Sequence, residues 1–288
     1  MPYIDAIKGT IIAFAIFLIA VIIIPGKGPS NDIELILTIS SFLFAILAGF
    51  FISRLSSRYD GVRQAVAQED ALLLSIYKTS QIVAKPLAKK IGDMIDKYYI
   101  VAYDFSLSES NKAYKVNAAY FMKMWELAGT AIRQQKPGAV EMIDQLKSLE
   151  VSRNTSSAVS TERMGAGQWV VMFILTGIIL FSVFYLKMPE LYSQVIAVLL
   201  STALILVMLI MRDLQNMMLG GKHLLEESGQ EVLEFIGKKR YYSEYYVKRD
   251  ISEIPDYVTE YRIGSHKPGE TKFKIKTIKR EGSKKKKG

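Results

Sequence analysis

The sequence predicts an all-α membrane protein with four transmembrane helices, a cytoplasmic helical bundle and a small C-terminal β-hairpin-like segment. Three observations lead to this fold class. The apolar residues are concentrated in four long runs that form two close pairs. The long segment between the pairs repeats its apolar residues with the period of a helix. Short strand-like stretches occur near the C-terminus.

The four apolar runs predict membrane-spanning helices, because each is close to the roughly 20 residues that a helix needs to cross about 30 Å of hydrocarbon. The first run carries Lys8 near its start and so resembles a signal peptide. Pro25 and Gly26 follow it directly, however, and no small-residue cleavage site is present. We therefore predict that it is retained and forms a hairpin with the second run. The predicted spans are at about 7–24, 33–52, 169–186 and 191–211.

The distribution of basic residues predicts the orientation. Segment Arg54–Gly167 contains 16 Lys and Arg residues and segment Arg212–Gly288 contains 18, whereas the loops within the two pairs contain only Lys27 and Lys187. Basic residues accumulate in the loops that remain in the cytoplasm. We therefore expect a multi-pass protein of the cell membrane, with the lipid bilayer as its surroundings and both termini cytoplasmic.

This orientation divides the chain into four segments. The first pair of spans and the second pair are separated by a cytoplasmic helical domain, and a cytoplasmic C-terminal segment follows them. The predicted boundaries are 1–53, 54–167, 168–211 and 212–288.

The central segment has the pattern of several helices. Arg54–Val83 contains no proline, so it is expected to continue the second span without a break. Pro86 suits the first turn of the next helix, and a further helix is predicted over 110–135, before Pro137. A last helix is predicted to run toward the third span. Its apolar stripe is Val140, Ile143, Leu146 and Leu149.

The C-terminal segment changes in character. Lys222–Ile236 is amphipathic, and Tyr257–Ile263 and Phe273–Ile278 are strand-like stretches that predict a small hairpin. The basic tail Lys284–Lys287 has two interpretations. It either contacts anionic lipid headgroups or is simply solvated.

Searches for chemical motifs are negative. The chain contains no cysteine, and its histidines, His223 and His266, do not have zinc-ligand spacing. No phosphate-binding loop and no G-x-S-x-G motif occurs in the sequence. The acidic pair Glu69–Asp70 is interpreted as solvated or structural. We therefore expect no enzyme, no catalytic, metal or cofactor site, no cofactor and no nucleic-acid partner.

Two stretches resemble a known family. They are RLSSRYDGVRQAVAQEDALLLSIYKTS after the second span and SRNTSSAVSTERMGAGQWVVMFILTGIIL at the start of the third. Over roughly residues 1–237 the chain resembles the prokaryotic bestrophin-like four-span domain family, whose biochemical role is poorly defined. A later stretch, MRDLQNMMLGG, keeps the aspartate of similar proteins but lacks their Pro-Phe turn. The matching positions are Arg58, Arg63, Glu69, Tyr77, Arg153, Arg163 and Asp213.

The resemblance implies kinship with bestrophins, which are pentameric anion-selective channels with four spans and cytoplasmic termini. It therefore implies a homo-oligomer, a pentamer by analogy, and small inorganic anions as partners. The bestrophin neck sequence and the acidic calcium-binding cluster are not recognisable in this chain, so a calcium gate is not expected.

If the second span is a straight helix, one stripe of it could line a pore. The apolar members of the stripe would form a constriction that gates by losing its water, and its arginines would concentrate anions at the cytoplasmic mouth. The candidate pore-lining residues are Ser40, Phe44, Leu47, Phe51, Arg54 and Arg58, at offsets 0, 4, 7, 11, 14 and 18.

A second function remains open beside the channel. The apolar residues of this stripe are equally typical of contacts with lipid or with other helices, and arginine at a cytoplasmic span end follows from orientation alone. The alternative is a non-conducting membrane-anchored scaffold or sensor whose helical domain binds partners.

Overall fold

The computed structural model describes residues 4–218, 226–249, 251–270 and 272–280. The chain divides into two compact units. We call Ile4–Ser57 with Arg163–Gly221 the membrane unit, and Arg58–Glu162 with Lys222–Gly288 the helical unit.

Helices dominate the described ranges, and a short sheet follows near the C-terminus. The helices are α1 (Ala6–Ile23), α2 (Asn31–Val83), α3 (Lys85–Tyr103), α4 (Ser110–Arg133), α5 (Ala139–Thr161), α6 (Ala166–Leu186), α7 (Leu191–Gln215), α8 (Glu226–Phe235) and α9 (Glu244–Val247). The strands are β1 (Tyr241–Ser243), β2 (Glu260–Gly264) and β3 (Ile275–Lys279).

Helices α1, α2, α6 and α7 are long and apolar enough to span a membrane, which confirms the four predicted spans. Helix α2 has 53 residues, a length of about 80 Å at ~1.5 Å per residue. Only its apolar stretch 33–52 is needed to cross about 30 Å of hydrocarbon. The residues from Arg58 onward belong to the helical unit, so the helix continues beyond the span without a break, as predicted.

Helix α1 packs along α7 in the membrane unit. The backbone N–H of Ala6 donates to Oδ2 of Asp213 at 2.7 Å. The guanidinium of Arg212 donates to the carbonyl oxygen of Ile4 at 2.6 Å. Because the first amides of a helix lack partners within the helix, Asp213 satisfies one of them for α1. The core of this unit includes Val21, Phe44, Phe51, Met172 and Met211.

The helical unit packs α3 against α4 and α4 against α5. The later part of α2 contributes Leu73 and Ile76 to the same core. Fully buried apolar side chains from every one of these helices meet there, which explains why the segment forms a bundle. The core includes Ile76, Ile95, Met124, Leu146 and Leu149, each with 0 % exposure.

Helix α5 differs from its prediction at one position of the apolar stripe. Val140 is 68 % exposed, whereas Met142 is fully buried, although Leu146 and Leu149 are buried as expected. The buried face continues through polar residues such as Ser152 and Arg153, so the apolar residues alone do not define it. The helix ends at Thr161, and the next helix begins at Ala166.

The C-terminal hairpin is confirmed and extended by one strand. Strands β2 and β3 pair antiparallel, with Tyr261 opposite Ile278. Strand β1 adds a parallel partner to β2, with Tyr242 beside Ile263, which the sequence did not indicate. The first residues of the predicted amphipathic helix, from Lys222, and the basic tail Lys284–Lys287 lie outside the described residues.

Candidate functional site

A cavity of ≈ 100 Å³ lies within the helical unit, lined by side chains from α2, α3, α4, α5 and the turn before α4. Its wall combines aromatic rings with charged and amide groups. The aromatic members include Tyr98, Tyr99, Tyr103, Phe105 and Tyr114, and the polar members include Glu69, Asp70, Asn117, Arg153 and Ser156. An apolar cavity with a few converging polar groups is the usual form of a small-molecule site.

Two neighbouring acids of α2 meet two neighbouring tyrosines of α3 at the cavity. The hydroxyl of Tyr98 donates to Oε1 of Glu69 at 2.5 Å. The hydroxyl of Tyr99 donates to Oδ1 of Asp70 at 2.7 Å. Tyr99 also stacks on Tyr103 one helical turn later, with ring centroids 5.7 Å apart. The phenols therefore hold both carboxylates in fixed positions.

The guanidinium of Arg153 is buried beside them. Its Nε donates to the hydroxyl oxygen of Tyr98 at 2.8 Å, and its Nη2 donates to Oδ1 of Asn117 at 2.7 Å. The rings of Phe121 and Tyr114 lie 4.3 Å and 4.6 Å from the guanidinium carbon. Aromatic faces stabilise a cation that has been removed from water. Tyr98 thus links the carboxylate of Glu69 to the guanidinium through two hydrogen bonds.

Burial changes the acidity of this site. Desolvation raises the pKa of Glu69 from 4.5 to about 7, against the hydrogen bond from Tyr98, which lowers it. Desolvation likewise raises the pKa of Asp70 from 3.8 to about 6, against hydrogen bonds from Ser228 and Tyr99. Both groups lie beyond the spanning stretch of α2. Carboxyl groups that titrate near neutral pH beside a cavity are typical of functional sites.

Helix α8 closes one side of the site. The hydroxyl of Ser228 donates to Oδ2 of Asp70. At the next position, a Cβ on Gly229 would lie 2.3 Å from the Tyr103 hydroxyl and 2.6 Å from Cε1 of Tyr99. Because those distances are far inside van der Waals contact, only glycine lets the helix approach this closely.

A second buried polar cluster joins α3 to the C-terminal sheet. The hydroxyl of Tyr241 donates to Oδ1 of Asp104 at 2.8 Å, and Nε2 of His266 lies 2.7 Å from Oδ2 of Asp104. The backbone N–H of Lys274 donates to Nδ1 of His266, so Nε2 carries the proton that is shared with the carboxylate. Burial raises the pKa of Asp104, against the hydrogen bond from Tyr241. Since both carboxylate oxygens and both ring nitrogens have partners, we assign this cluster an anchoring role.

Two residues that carry the family resemblance, Glu69 and Arg153, meet at the cavity through Tyr98. Arg58 instead donates to the carbonyl oxygens of Val159 and Ser160. Its positive charge there stabilises the C-terminal end of α5. The remaining positions lie elsewhere. Arg63 and Arg163 are exposed, Tyr77 meets Phe235 edge-on, and Asp213 belongs to the membrane unit.

Of the two alternatives for Glu69–Asp70, solvated or structural, the structural one describes Asp70, which is 5 % exposed and accepts two hydrogen bonds. Both acids also line the cavity. Tyr98, Tyr99 and Asn117 also belong to the wall of the cavity, although no motif in the sequence marks them as site residues. An available signal was the pair of adjacent tyrosines in α3, which matches the pair of adjacent acids in α2.

The residues of the candidate pore stripe of α2 differ in their exposure. Ser40, Phe44 and Phe51 are buried within the chain, and Leu47 packs on the same core. Arg54 is exposed. Arg58 is buried in the helical unit. That these residues line a pore stays a prediction. The strongly exposed side chains of the spanning stretch include Phe42, Ile46 and Phe50.

A family match agrees with the four membrane-spanning helices of this chain. The model of the bestrophin-like domain matches residues 11–215, more than half of the chain. The match contains Glu69, Tyr98 and Arg153 and ends with α7, so it is shorter than the resemblance over 1–237 and excludes α8 and the sheet. No curated protein and no solved structure matches the chain. With four helices that can span a membrane and this match, the chain belongs to the bestrophin-like family of multi-pass membrane proteins.

Proposed function

We propose that the chain is a membrane-anchored sensor whose helical unit binds a small ligand on the cytoplasmic side. The observation that supports this function is the cavity beside Glu69, Tyr98 and Arg153, whose polar wall is only partly satisfied by the protein.

Three wall groups have open hydrogen-bonding capacity. Among the described residues, no partner is found for the second oxygen of Glu69, Nδ2 of Asn117 or Nη1 of Arg153. None of these three atoms is among the buried unpaired atoms of the described residues, so each is accessible from the cavity, where a bound molecule could form a hydrogen bond with it. In the cluster around Asp104 and His266, by contrast, both carboxylate oxygens and both ring nitrogens have partners. A ligand in the cavity would complete the open groups.

The sensor proposal is tested by a search for stabilising ligands on the full-length protein in phosphatidylcholine nanodiscs. A compound that binds only the folded state raises the unfolding temperature. We expect compounds from a metabolite library to stabilise the native protein and Glu150→Gln, whose side chain is exposed, but not Glu69→Gln. If no compound stabilises well-folded protein, the sensor function is rejected.

Membership of the bestrophin-like family favours a second candidate function, the conduction of small inorganic anions by a homo-oligomer, for which we propose a pentamer. Arg54 is exposed just after the spanning stretch of α2. A ring of such residues would supply positive charge at the cytoplasmic mouth. Phe44 and Phe51 would line the conduit only if it ran inside the helix packing of one protomer, since both are buried there.

The conduction proposal is tested in planar bilayers with purified protein. We expect an anion-preferring current whose anion preference weakens in Arg54→Ser and is unchanged in the exposed control Arg133→Ser. A current that grows in Phe51→Ala is expected only if the conduit runs inside the helix packing of one protomer. A monomeric mass in nanodiscs, or no current from folded oligomer, would reject conduction and leave the sensor function intact.

A further inference from the structure

Resting on the proposed sensor function, we infer that the cavity of the helical unit takes a small organic amine, with the protonated nitrogen on Glu69 and an oxygen acceptor on Asn117 and Arg153. Neither the family match nor the pattern of the sequence assigns this site. The inference follows from the charge of the wall, its aromatic faces and the types of open group.

The charge balance of the wall favours a cation. At a pH above their raised pKa values of about 7 and about 6, Glu69 and Asp70 contribute two carboxylates, and among the described residues neither forms an ion pair with a lysine or an arginine. The guanidinium of Arg153 is separated from Glu69 by the hydroxyl of Tyr98, and its charge already rests against the rings of Tyr114 and Phe121. The formal charge without a counterpart is therefore negative.

The aromatic wall fits an organic cation. Tyr99 and Tyr103 stack as a pair, and Tyr98 meets Tyr99 edge-on at 6.1 Å. Electron-rich ring faces attract an ammonium group, most strongly where water is excluded. Carboxylates that are held by phenols beside such faces provide both components of an amine site.

A metal ion fits the site less well. Hard cations require several oxygen ligands at once. Both oxygens of Asp70 already accept hydrogen bonds, from Tyr99 and Ser228, and one oxygen of Glu69 accepts from Tyr98. A single open carboxylate oxygen suits one ammonium group rather than a coordination sphere.

The remaining open groups define the other end of the ligand. Nδ2 of Asn117 and Nη1 of Arg153 are both donors, so they select an oxygen acceptor such as a hydroxyl or carbonyl. The cavity volume of ≈ 100 Å³ is smaller than the ~150 Å³ cavity that takes up benzene. The buried part of the ligand is therefore only a few heavy atoms long.

The inference is tested with four probes of equal size on the full-length protein in phosphatidylcholine nanodiscs. The probes are ethanolamine, propylamine, ethylene glycol and acetate, and saturation-transfer difference NMR measures binding against empty nanodiscs. We expect ethanolamine to bind, propylamine to bind more weakly, and the uncharged and anionic probes to give no signal. Glu69→Gln should weaken ethanolamine binding at least tenfold, whereas Glu150→Gln should leave it unchanged.

The possible failures are distinguishable. Binding of acetate instead of the amines would overturn the amine inference and leave the sensor function standing, with Arg153 as its anchor. Ethanolamine binding that is unaffected by Glu69→Gln would also overturn the inference. If none of the four probes binds to the native protein, the amine inference is overturned without reliance on any variant. The search for stabilising metabolites tests the sensor function independently.

Discussion

Replacing Gly229 by alanine tests whether α8 depends on close contact with the pocket tyrosines. The new methyl group would lie 2.6 Å from Cε1 of Tyr99 and 2.3 Å from the hydroxyl oxygen of Tyr103. Tyr99 cannot yield, because it is 3 % exposed and its hydroxyl is bound to Asp70. Helix α8 must therefore move away from the site.

Two effects of opposite sign set the magnitude. Alanine is favoured over glycine in a helix interior by about 1 kcal/mol. Overpacking of a tight contact costs about 1–3 kcal/mol. Since the contact lies far inside van der Waals distance, we expect the steric cost to exceed the gain, with a net loss of about 1 kcal/mol and faster amide exchange along α8.

The matched control is Gly129→Ala in α4. The nearest atom to its added Cβ is Nη1 of Arg133, at 3.9 Å, so this change keeps the propensity gain without the clash. Thermal unfolding in detergent and amide hydrogen exchange compare the two variants. If Gly229→Ala stabilised the protein as much as Gly129→Ala, the close packing of α8 on the pocket would be refuted.

Three further predictions follow from the site and the topology. The pKa of Glu69 is raised from 4.5 to about 7, so its contribution to stability is complete below about pH 4.5 and is lost as pH rises through about 7. In unfolding titrations, the free energy of unfolding of Glu69→Gln should therefore rise relative to that of the native protein between about pH 5 and about pH 8. A difference that stays constant over this range would contradict a raised pKa of Glu69. Arg153→Lys removes the fork that reaches Tyr98 and Asn117. We expect a loss of about 2–4 kcal/mol in denaturant titrations, against less than ~0.5 kcal/mol for the exposed control Arg133→Lys; equal losses would argue against the network. Single cysteines at Gly28 and Lys136, in this cysteine-free chain, should differ in intact cells: an impermeant thiol reagent labels only the first, and labelling of both would overturn the orientation.

The membrane-spanning helices could be predicted because each is recognisable from its own stretch of sequence. A long apolar run predicts a span whatever the run packs against. The absence of proline after the second run likewise predicts that α2 continues to Val83. The buried face of helix α5 could not be predicted fully in this way. Its buried face contains Ser152, Arg153 and Ser156, which an apolar stripe does not reveal, and so Val140 was placed on the wrong side.

The cavity could not be predicted from local sequence patterns for a similar reason. Glu69 meets Tyr98 and Asp70 meets Tyr99 across 29 positions of sequence. An acidic pair on a helix is usually solvated, whereas here contacts from α3 and α8 bury Asp70. The chemistry of the site thus depends on tertiary contacts, although each residue type is visible in the sequence.

The bond between Ala6 and Asp213 has a consequence for biosynthesis. The two residues are 207 positions apart, so almost the whole membrane unit must be synthesised after α1 before the carboxylate that binds its N-terminal end exists. Asp5 directly precedes α1 and caps it locally, since its side chain accepts from the N–H of Lys8. The amide of Ala6, however, receives this partner only after α7 has been synthesised, so a chain that stopped before Asp213 would leave α1 without this hydrogen bond.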